Sequence, residues 1–281
     1  MNHTQDAFEG AGGLKLFAQS WRPEGAPQAV LAIVHGFGEH SGRYTNVVGH
    51  FVPRGYAVHG FDLRGHGRSP GQRGHINSWA EYRDDVKAFL GHVAKQEPGR
   101  PVFLLGHSLG SIIAMDYALH HSQGLSGLIL SGLAVDPVGA APPLLVAIAR
   151  LMSRLWPTLA MPLKLDKTAL SRIPEVVSEY IADPLVHGMA SARWGAECLD
   201  TIARCKADAS RLQLPLLVLH GESDRINSAA GARHVFEAAR SADKRLVLVP
   251  GGLHEPHNDL GREQTLRALE EYLGKRLSAA A

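Results

Sequence analysis

The segment Gly106–Gly110 (GHSLG) places Ser108 between two glycines, after a short apolar run and before a helix-like stretch. A residue in a sharp strand-to-helix turn has strained backbone geometry, and flanking glycines leave room for it. Ser108 would then project its hydroxyl into a cleft as a nucleophile. The pentapeptide alone is a weak signal, and an ordinary turn whose serine caps the helix is the alternative. The rest of the chain has to decide between them.

A carboxylate is the next requirement, because a serine hydroxyl is a weak nucleophile that needs a histidine base held in one tautomer. In the architecture that uses this turn, the chain order is serine, acid, histidine. Asp224 lies on the first loop after the apolar run Leu214–His220 and is the predicted acid. Three other carboxylates remain alternatives: Asp183, Asp200 and Glu222.

The base should follow the next apolar run. His254 comes five residues after Val249, beyond a turn at Pro250–Gly252, and is the predicted base. His257 is the competitor, because two histidines three residues apart on one turn can both line a pocket.

Two backbone amides should stabilise the oxyanion that forms during acyl transfer. Leu109, directly after the serine, supplies one, and we favour Phe37 in the glycine-rich segment His35–Gly38 for the other. A plain glycine-rich turn is the alternative. Nucleotide binding is disfavoured, because neither a Gly-x-x-x-x-Gly-Lys loop nor a dinucleotide fingerprint is present.

Apolar runs separated by helix-like stretches predict an α/β fold with a mostly parallel sheet, covered by helices on both faces. Ligands then bind beyond the carboxyl ends of the strands. Between residues 134 and 207 the apolar runs no longer recur and prolines are frequent, which predicts an inserted helical lid between core segments 1–133 and 208–281. The predicted runs are Ala29–Val34, Tyr56–Phe61, Val102–Leu105, Gly127–Leu130, Leu214–His220 and Leu246–Val249.

The first lid helix, predicted over Pro142–Trp156, is unusually apolar. Arg150, Ser153 and Arg154 occupy an arc of about 100°, and apolar residues fill the remainder. Either the helix is sandwiched between lid and core, or its apolar face forms an acyl-chain tunnel or a membrane-docking surface.

Composition indicates an ordinary globular protein of 281 residues with a net charge of +2 and no basic run, so nucleic-acid binding is not expected. None of the sixteen histidines has metal-ligand spacing, and we predict no metal and no cofactor. Cys198 and Cys205 would be about 10 Å apart on a helix, so both should be buried, reduced thiols. Without a secretory signal or a long apolar run, a cytoplasmic location is expected, with no obligate protein partner.

Five segments in this order and spacing resemble the monoacylglycerol lipase family of α/β-hydrolases: His35–Tyr44, Asp62–Ser69, Gly106–Gly110, Gly221–Asp224 and Gly252–His254. The match spans nearly the whole chain. The stretch from Glu39 to Tyr44 separates this family from general esterases.

The resemblance supports a triad of Ser108, Asp224 and His254, with the amides of Phe37 and Leu109 as oxyanion hole. Phe37 is larger than the small residue typical of the family, and the lid is the least similar region. A polar pocket for the glycerol end of the substrate is also implied, formed by Glu39, Arg43, Tyr180 and His257. For Glu39 and Arg43 an exposed i, i+4 ion pair is the alternative.

The resemblance implies a serine ester hydrolase that cleaves monoacylglycerols to fatty acid and glycerol through an acyl-enzyme on Ser108. A lysophospholipase or a broad-specificity carboxylesterase would use the same triad with another leaving-group pocket. A non-catalytic, ligand-binding scaffold is the alternative from another class. His107, inside the GHSLG segment, has no assigned role.

Overall fold

The computed structural model describes residues 1–139, 142–163 and 165–280. Its ten strands are β1 Asn2–Glu9, β2 Lys15–Arg22, β3 Ala29–Val34, β4 Tyr56–Phe61, β5 Val102–His107, β6 Gly127–Ser131, β7 Ala160–Pro162, β8 Met189–Ser191, β9 Leu216–Gly221 and β10 Lys244–Val249. Its eight α-helices are α1 Thr45–Phe51, α2 Trp79–Gln96, α3 Leu109–His120, α4 Pro143–Leu155, α5 Pro174–Ala182, α6 Ala192–Ala207, α7 Ala229–Ala238 and α8 Arg262–Ala280.

The main sheet has eight strands in the order β1-β2-β4-β3-β5-β6-β9-β10. From β4 to β10 all neighbours are parallel, whereas β1 and β2 form an antiparallel hairpin at one edge. The predicted α/β class and mostly parallel sheet are therefore confirmed. The edge hairpin was not predicted, because β1 is exposed along almost its whole length and carries no apolar run.

Both faces of the sheet are covered by helices, as the continuous apolar runs predict. Along β3, Val30 and Ala32 pack into a core with α2 and α3, while Leu31 and Ile33 pack into a second core with α1 and α8. The alternation follows from the two-residue period of a strand. Every residue of β3 and β4 is buried.

Helices α4, α5 and α6 and the two-stranded antiparallel sheet of β7 and β8 all lie between β6 and β9, in the segment predicted as a lid. The segment's boundaries at residues 134 and 207, and its movement as a lid, stay predictions; its Ala140, Ala141 and Lys164 lie outside the described residues. Cys198 and Cys205 are free thiols on α6, Cys205 buried and Cys198 partly so.

The alternative in which the apolar face of α4 is enclosed between lid and core is wrong. Ser153 is the buried residue of this helix, and α4 packs against α6. A small side chain allows such close approach of two helices. The large apolar residues instead face outward, so α4 is not enclosed between lid and core: Leu144, Leu145, Ile148, Leu151, Leu155 and the following Trp156 are all exposed.

Among the residues described, no helix is both long and apolar enough to cross a membrane.

Candidate active site

Ser108 occupies the turn between β5 and α3. Its backbone has φ 51° and ψ −120°, and it alone among the described non-glycine residues has positive φ. A Cβ at Gly110 would overlap the carbonyl oxygen of Val34, and a Cβ at Gly106 would overlap that of Gly110. The turn therefore requires glycine at both places, and it holds the serine in strained geometry.

The hydroxyl of Ser108 does not cap the following helix, so that alternative is wrong. It lies 2.8 Å from Nε2 of His254, to which it donates a hydrogen bond, and Nδ1 of His254 lies 2.8 Å from Oδ2 of Asp224. His254 and Asp224 follow β10 and β9, so the three side chains meet at the carboxyl edge of the parallel strands. The structure thus brings the three predicted residues together in a continuous hydrogen-bonded relay.

Asp224 is held in place by its own neighbours. Its Oδ1 accepts hydrogen bonds from the backbone amides of Ile226 and Asn227 at 2.8 and 3.1 Å. His220 lies 3.3 Å from its Oδ2 and also bridges the amide of Leu133 and the carbonyl of Asn227. Sequence reasoning missed His220; a histidine that ends an otherwise apolar strand was the available signal.

The three alternative carboxylates lie away from this relay. Asp183 accepts a hydrogen bond from His40, and Asp200 forms an exposed ion pair with Arg150. Glu222 is half exposed and lies 3.9 Å from Arg233. None of these contacts involves His254.

Electrostatics distinguish His254 from the other histidines near Ser108. Burial opposes its charge, but the hydrogen bond and negative charge of Asp224 outweigh burial and raise the pKa of His254. Burial also opposes ionisation of Asp224, yet His254 lowers the pKa of that carboxyl. By contrast, burial and neighbouring histidines hold the pKa of His107 well below its usual range. His254 is thus the one tuned to accept a proton.

The loop after β3 lies directly beside Ser108. A Cβ on Gly36 would be 3.1 Å from Cβ of Ser108, and the Gly36 amide donates a 2.6 Å hydrogen bond to Glu39. Phe37 follows, and its ring packs 4.6 Å from that of Trp194 on α6. Leu109 opens α3 on the other side of the serine. The two residues predicted to donate oxyanion amides therefore flank Ser108.

Glu39 and Arg43 form a buried ion pair with an Nη1–Oε2 distance of 2.6 Å, so the alternative of an exposed pair is wrong. Arg43 also pairs through both terminal nitrogens with Glu255, at 2.7 and 2.9 Å. Burial opposes the ionisation of Glu39, but the positive charge of Arg43 outweighs burial and holds the pKa of the Glu39 carboxyl well below its usual range. Glu255 was missed by sequence reasoning, because nothing in its spacing connects it with Arg43, 212 positions away.

The remaining members of the predicted glycerol pocket surround this ion pair. Tyr180 on α5 lies under the guanidinium of Arg43, 4.6 Å from its ring centroid. The ring of His257 stacks on Tyr44 at 5.0 Å, and 4.9 Å separates it from the ring of His107. The buried Nδ1 of His107 and Nε2 of His257 have no hydrogen-bond partner within the described residues. His257 is therefore packed between Tyr44 and His107.

A cavity of about 350 Å³ opens onto Ser108. Ile112 of α3 and Trp194, Cys198 and Ile202 of α6 form an apolar wall, whereas Glu39, Tyr180 and Glu255 contribute polar groups. Arg43 and His257 are not among the residues that line the cavity. Arg43 is paired with the lining residue Glu39, and His257 is stacked on Tyr44. Within the described ranges, no group of three or more His, Cys, Asp or Glu side chains is placed to hold a metal ion.

A mostly parallel sheet with a strained serine after its fifth strand and a Ser–His–Asp relay at its carboxyl edge defines a serine hydrolase of the α/β-hydrolase class. The family model described as "Serine aminopeptidase, S33" matches residues 25–261.

Among curated proteins, the chain is 36% identical to a monoacylglycerol lipase of Mycolicibacterium smegmatis over 91% of both chains. It is 33% identical to the human monoglyceride lipase over 89% of this chain and 83% of that protein. The solved structure of a Paleococcus ferrophilus monoacylglycerol lipase superposes with a TM-score of 0.83 at 32% identity, covering 98% of this chain and all of that one. The chain belongs to the monoacylglycerol lipase family and is a carboxylic ester hydrolase.

We expect Asp224→Asn to lower kcat/KM for a 4-nitrophenyl ester by about 10⁴-fold, because the imidazole loses the carboxylate that fixes its tautomer. An imidazole accepts a proton only when it is neutral, so with His254 as the predicted base we expect the wild-type rate to fall as pH drops through a pKa above the ordinary value of about 6.5. Removing the charge of Asp224 should move that acid limb to lower pH. The measurement is a pH profile of kcat/KM, with the exposed Asp200→Asn as matched control; an unshifted limb would contradict the assignment.

Proposed function

We propose that this protein hydrolyses monoacylglycerols to fatty acid and glycerol, with Ser108 as nucleophile, His254 as base and Asp224 as the orienting acid. The observation that carries the proposal is the relay of two 2.8 Å hydrogen bonds at a cavity that is apolar on one side and polar on the other. The names of the relatives support the substrate class.

In the proposed reaction, Oγ of Ser108 attacks the ester carbonyl carbon while Nε2 of His254 takes the hydroxyl proton. The charge of Asp224 stabilises the imidazolium. The carbonyl oxygen becomes an oxyanion, which the amides of Phe37 and Leu109 would stabilise. When the tetrahedral intermediate collapses, the bond to the glycerol oxygen breaks and His254 protonates that oxygen. Water, deprotonated by His254, then hydrolyses the acyl-enzyme and releases the fatty acid.

Charge in the cavity favours a glycerol over a phosphodiester leaving group. Arg225 is the sole lysine or arginine among the described lining residues, and it lies 3.4 Å from the carboxylate of Asp166. Glu39 and Glu255 add two carboxylates on the polar side. An anionic lysophospholipid headgroup would meet net negative charge there, whereas neutral glycerol would find hydrogen-bonding groups. We therefore place the acyl chain along Ile112, Trp194 and Ile202 and the glycerol near Glu39 and Tyr180.

Ser108→Ala should abolish ester turnover and labelling by a fluorophosphonate probe while leaving the melting temperature nearly unchanged. Its hydroxyl is the attacking group, and alanine removes little packing. The wild-type enzyme should be compared on monoacylglycerols, di- and triacylglycerols, lysophospholipids and 4-nitrophenyl esters. Ser178→Ala on α5, whose hydroxyl is exposed and lies outside the cavity, is the control for the loss of a serine hydroxyl. Retained turnover in Ser108→Ala would favour the non-catalytic scaffold, and a preference for lysophospholipids would contradict the proposed substrate.

Tyr180→Phe should reduce kcat/KM for a monoacylglycerol by about fivefold and leave that for a 4-nitrophenyl ester within about twofold, because one hydrogen bond to glycerol is worth about 1 kcal/mol. The ring over Arg43 is retained, so the ion pairs should survive. Tyr117→Phe on α3 provides a matched loss of a phenol hydroxyl outside the cavity. Equal losses of kcat/KM on both substrates would contradict the placement of Tyr180 in the glycerol pocket.

We also propose that the outward face of α4 contacts lipid surfaces transiently, from a cytoplasmic location. Leu144 and Leu155 are 73% and 71% exposed, and Trp156 follows the helix at 59%. Such a contiguous apolar face on a helix that also carries Arg150 and Arg154 is typical of interfacial binding. The acyl substrate of a lipase resides in such surfaces.

The double variant Leu144→Ser/Leu155→Ser should bind phosphatidylcholine vesicles at least about tenfold more weakly in a sedimentation assay, because each leucine buried in the interface contributes on the order of 1 kcal/mol. Its turnover of 4-nitrophenyl acetate in solution should be unchanged. Leu260→Ser, 66% exposed and distant in sequence from α4, is the matched control. Vesicle binding equal to that of the wild type would refute the contact.

A further inference from the structure

Glu255 directly follows the proposed base, His254, and is almost completely buried, with 2% of its side chain exposed. Both of its carboxylate oxygens accept hydrogen bonds from the guanidinium of Arg43, and Oε2 also accepts one from the side chain of Asn258. Such a two-point ion pair fixes orientation as well as distance. The segment that carries the base is therefore attached to Arg43.

Arg43 connects this segment to the loop after β3. Its Nη1 also bonds Oε2 of Glu39, whose Oε1 accepts hydrogen bonds from the Gly36 amide at 2.6 Å and from the Tyr44 hydroxyl at 3.0 Å. Gly36 immediately precedes Phe37, the proposed oxyanion donor. An uninterrupted chain of charge-assisted hydrogen bonds thus runs from the residue beside the base to the residue beside the oxyanion donor.

Both oxygens of Glu39 and both terminal nitrogens of Arg43 are engaged in this chain. Oε1 of Glu39 already accepts two hydrogen bonds and Nη1 of Arg43 already donates two, so neither atom has capacity left for a glycerol hydroxyl. Glu39 and Arg43 therefore hold two protein loops together, in addition to any contact that Glu39 makes with a ligand in the cavity.

We propose that Glu255 is a positioning residue whose ion pair with Arg43 sets the His254 segment relative to the loop of Gly36 and Phe37. The inference rests on the proposed function for the roles of His254 and Phe37. It differs from a glycerol-binding role, because the alignment of base and oxyanion donor affects every ester, whatever its leaving group.

The ion pair of Glu255 with Arg43 matters because catalysis requires accurate placement of the reacting groups. Catalytic groups have to be held within about 0.5 Å of productive geometry, and the loss of one oxyanion donor costs about 10²- to 10³-fold in kcat in proteases. The cluster of Glu39, Arg43 and Glu255 carries one excess negative charge close to His254. Together with Asp224, both carboxylates favour the imidazolium and raise the pKa of His254, while burial opposes it. The ring of His107 packs 5.0 Å from that of His254, and His220 and His257 are two further titratable rings close to it.

The test is Glu255→Gln, which keeps size and one hydrogen-bond acceptor but removes the charge. We expect kcat to fall by about 10- to 100-fold on both a 4-nitrophenyl ester and a monoacylglycerol, with KM within about twofold for each. The rate of fluorophosphonate labelling should fall in parallel. The acid limb of the pH profile should shift to lower pH, because one of the charges that favour the imidazolium is gone. Glu263→Gln, 79% exposed on α8, is the matched control.

Glu255→Asp separates alignment from charge and serves also if Glu255→Gln fails to fold. It keeps the carboxylate but shortens its reach, so kcat should fall while the acid limb stays near that of the wild type. Unchanged kcat in a folded Glu255→Gln enzyme would overturn the proposal. So would a loss confined to KM for monoacylglycerol, which would make Glu255 a glycerol contact. A wild-type enzyme that cleaves 4-nitrophenyl esters but not monoacylglycerols would instead refute the proposed function and leave the role of Glu255 intact.

Discussion

The close approach of the first turn of α3 to the end of β3 is the constraint on which the site depends. Gly110 lies against the carbonyl oxygens of Val34 and His35, where a side chain cannot fit. This contact fixes Ser108 in its strained turn and places the loop of Gly36 beside it. The strain is sustained by the surrounding parallel strands, because β5 is paired on both sides.

Much of this arrangement is predictable from sequence, because the carboxyl ends of parallel strands meet at one edge. Asp224 and His254 each follow a strand; His254 reaches Ser108, and Asp224 reaches the other ring nitrogen of His254. The cluster of Glu39, Arg43 and Glu255 is different. Glu39 and Arg43 are four residues apart, but Glu255 is 212 positions from Arg43, and their pairing depends on how two loops fold over the sheet edge. Likewise, the amphipathic pattern of α4 could not predict that Ser153 packs inward, since an apolar face does not identify what covers it.

Environment, more than residue type, separates the roles of the histidines around Ser108. His107 and His257 are buried without a carboxylate bonded to either ring, and burial lowers the pKa of both. His254 is equally enclosed but bonded to Asp224, which reverses the direction. His107 lies about 5 Å from each of the other two rings, so the three rings are one tuned base and two neutral neighbours. The neutral pair adds no positive charge that would compete with the imidazolium formed during catalysis.

Helix α6 links the outside of the molecule to the cavity. Helix α4 packs against α6 with Ser153 buried. Three other residues of α6, Trp194, Cys198 and Ile202, form the apolar wall beside Ser108. Trp194 also contacts Phe37, the proposed oxyanion donor. Under the proposed function, a lipid surface that binds the exposed face of α4 therefore lies one helix away from both the acyl chain and the oxyanion loop.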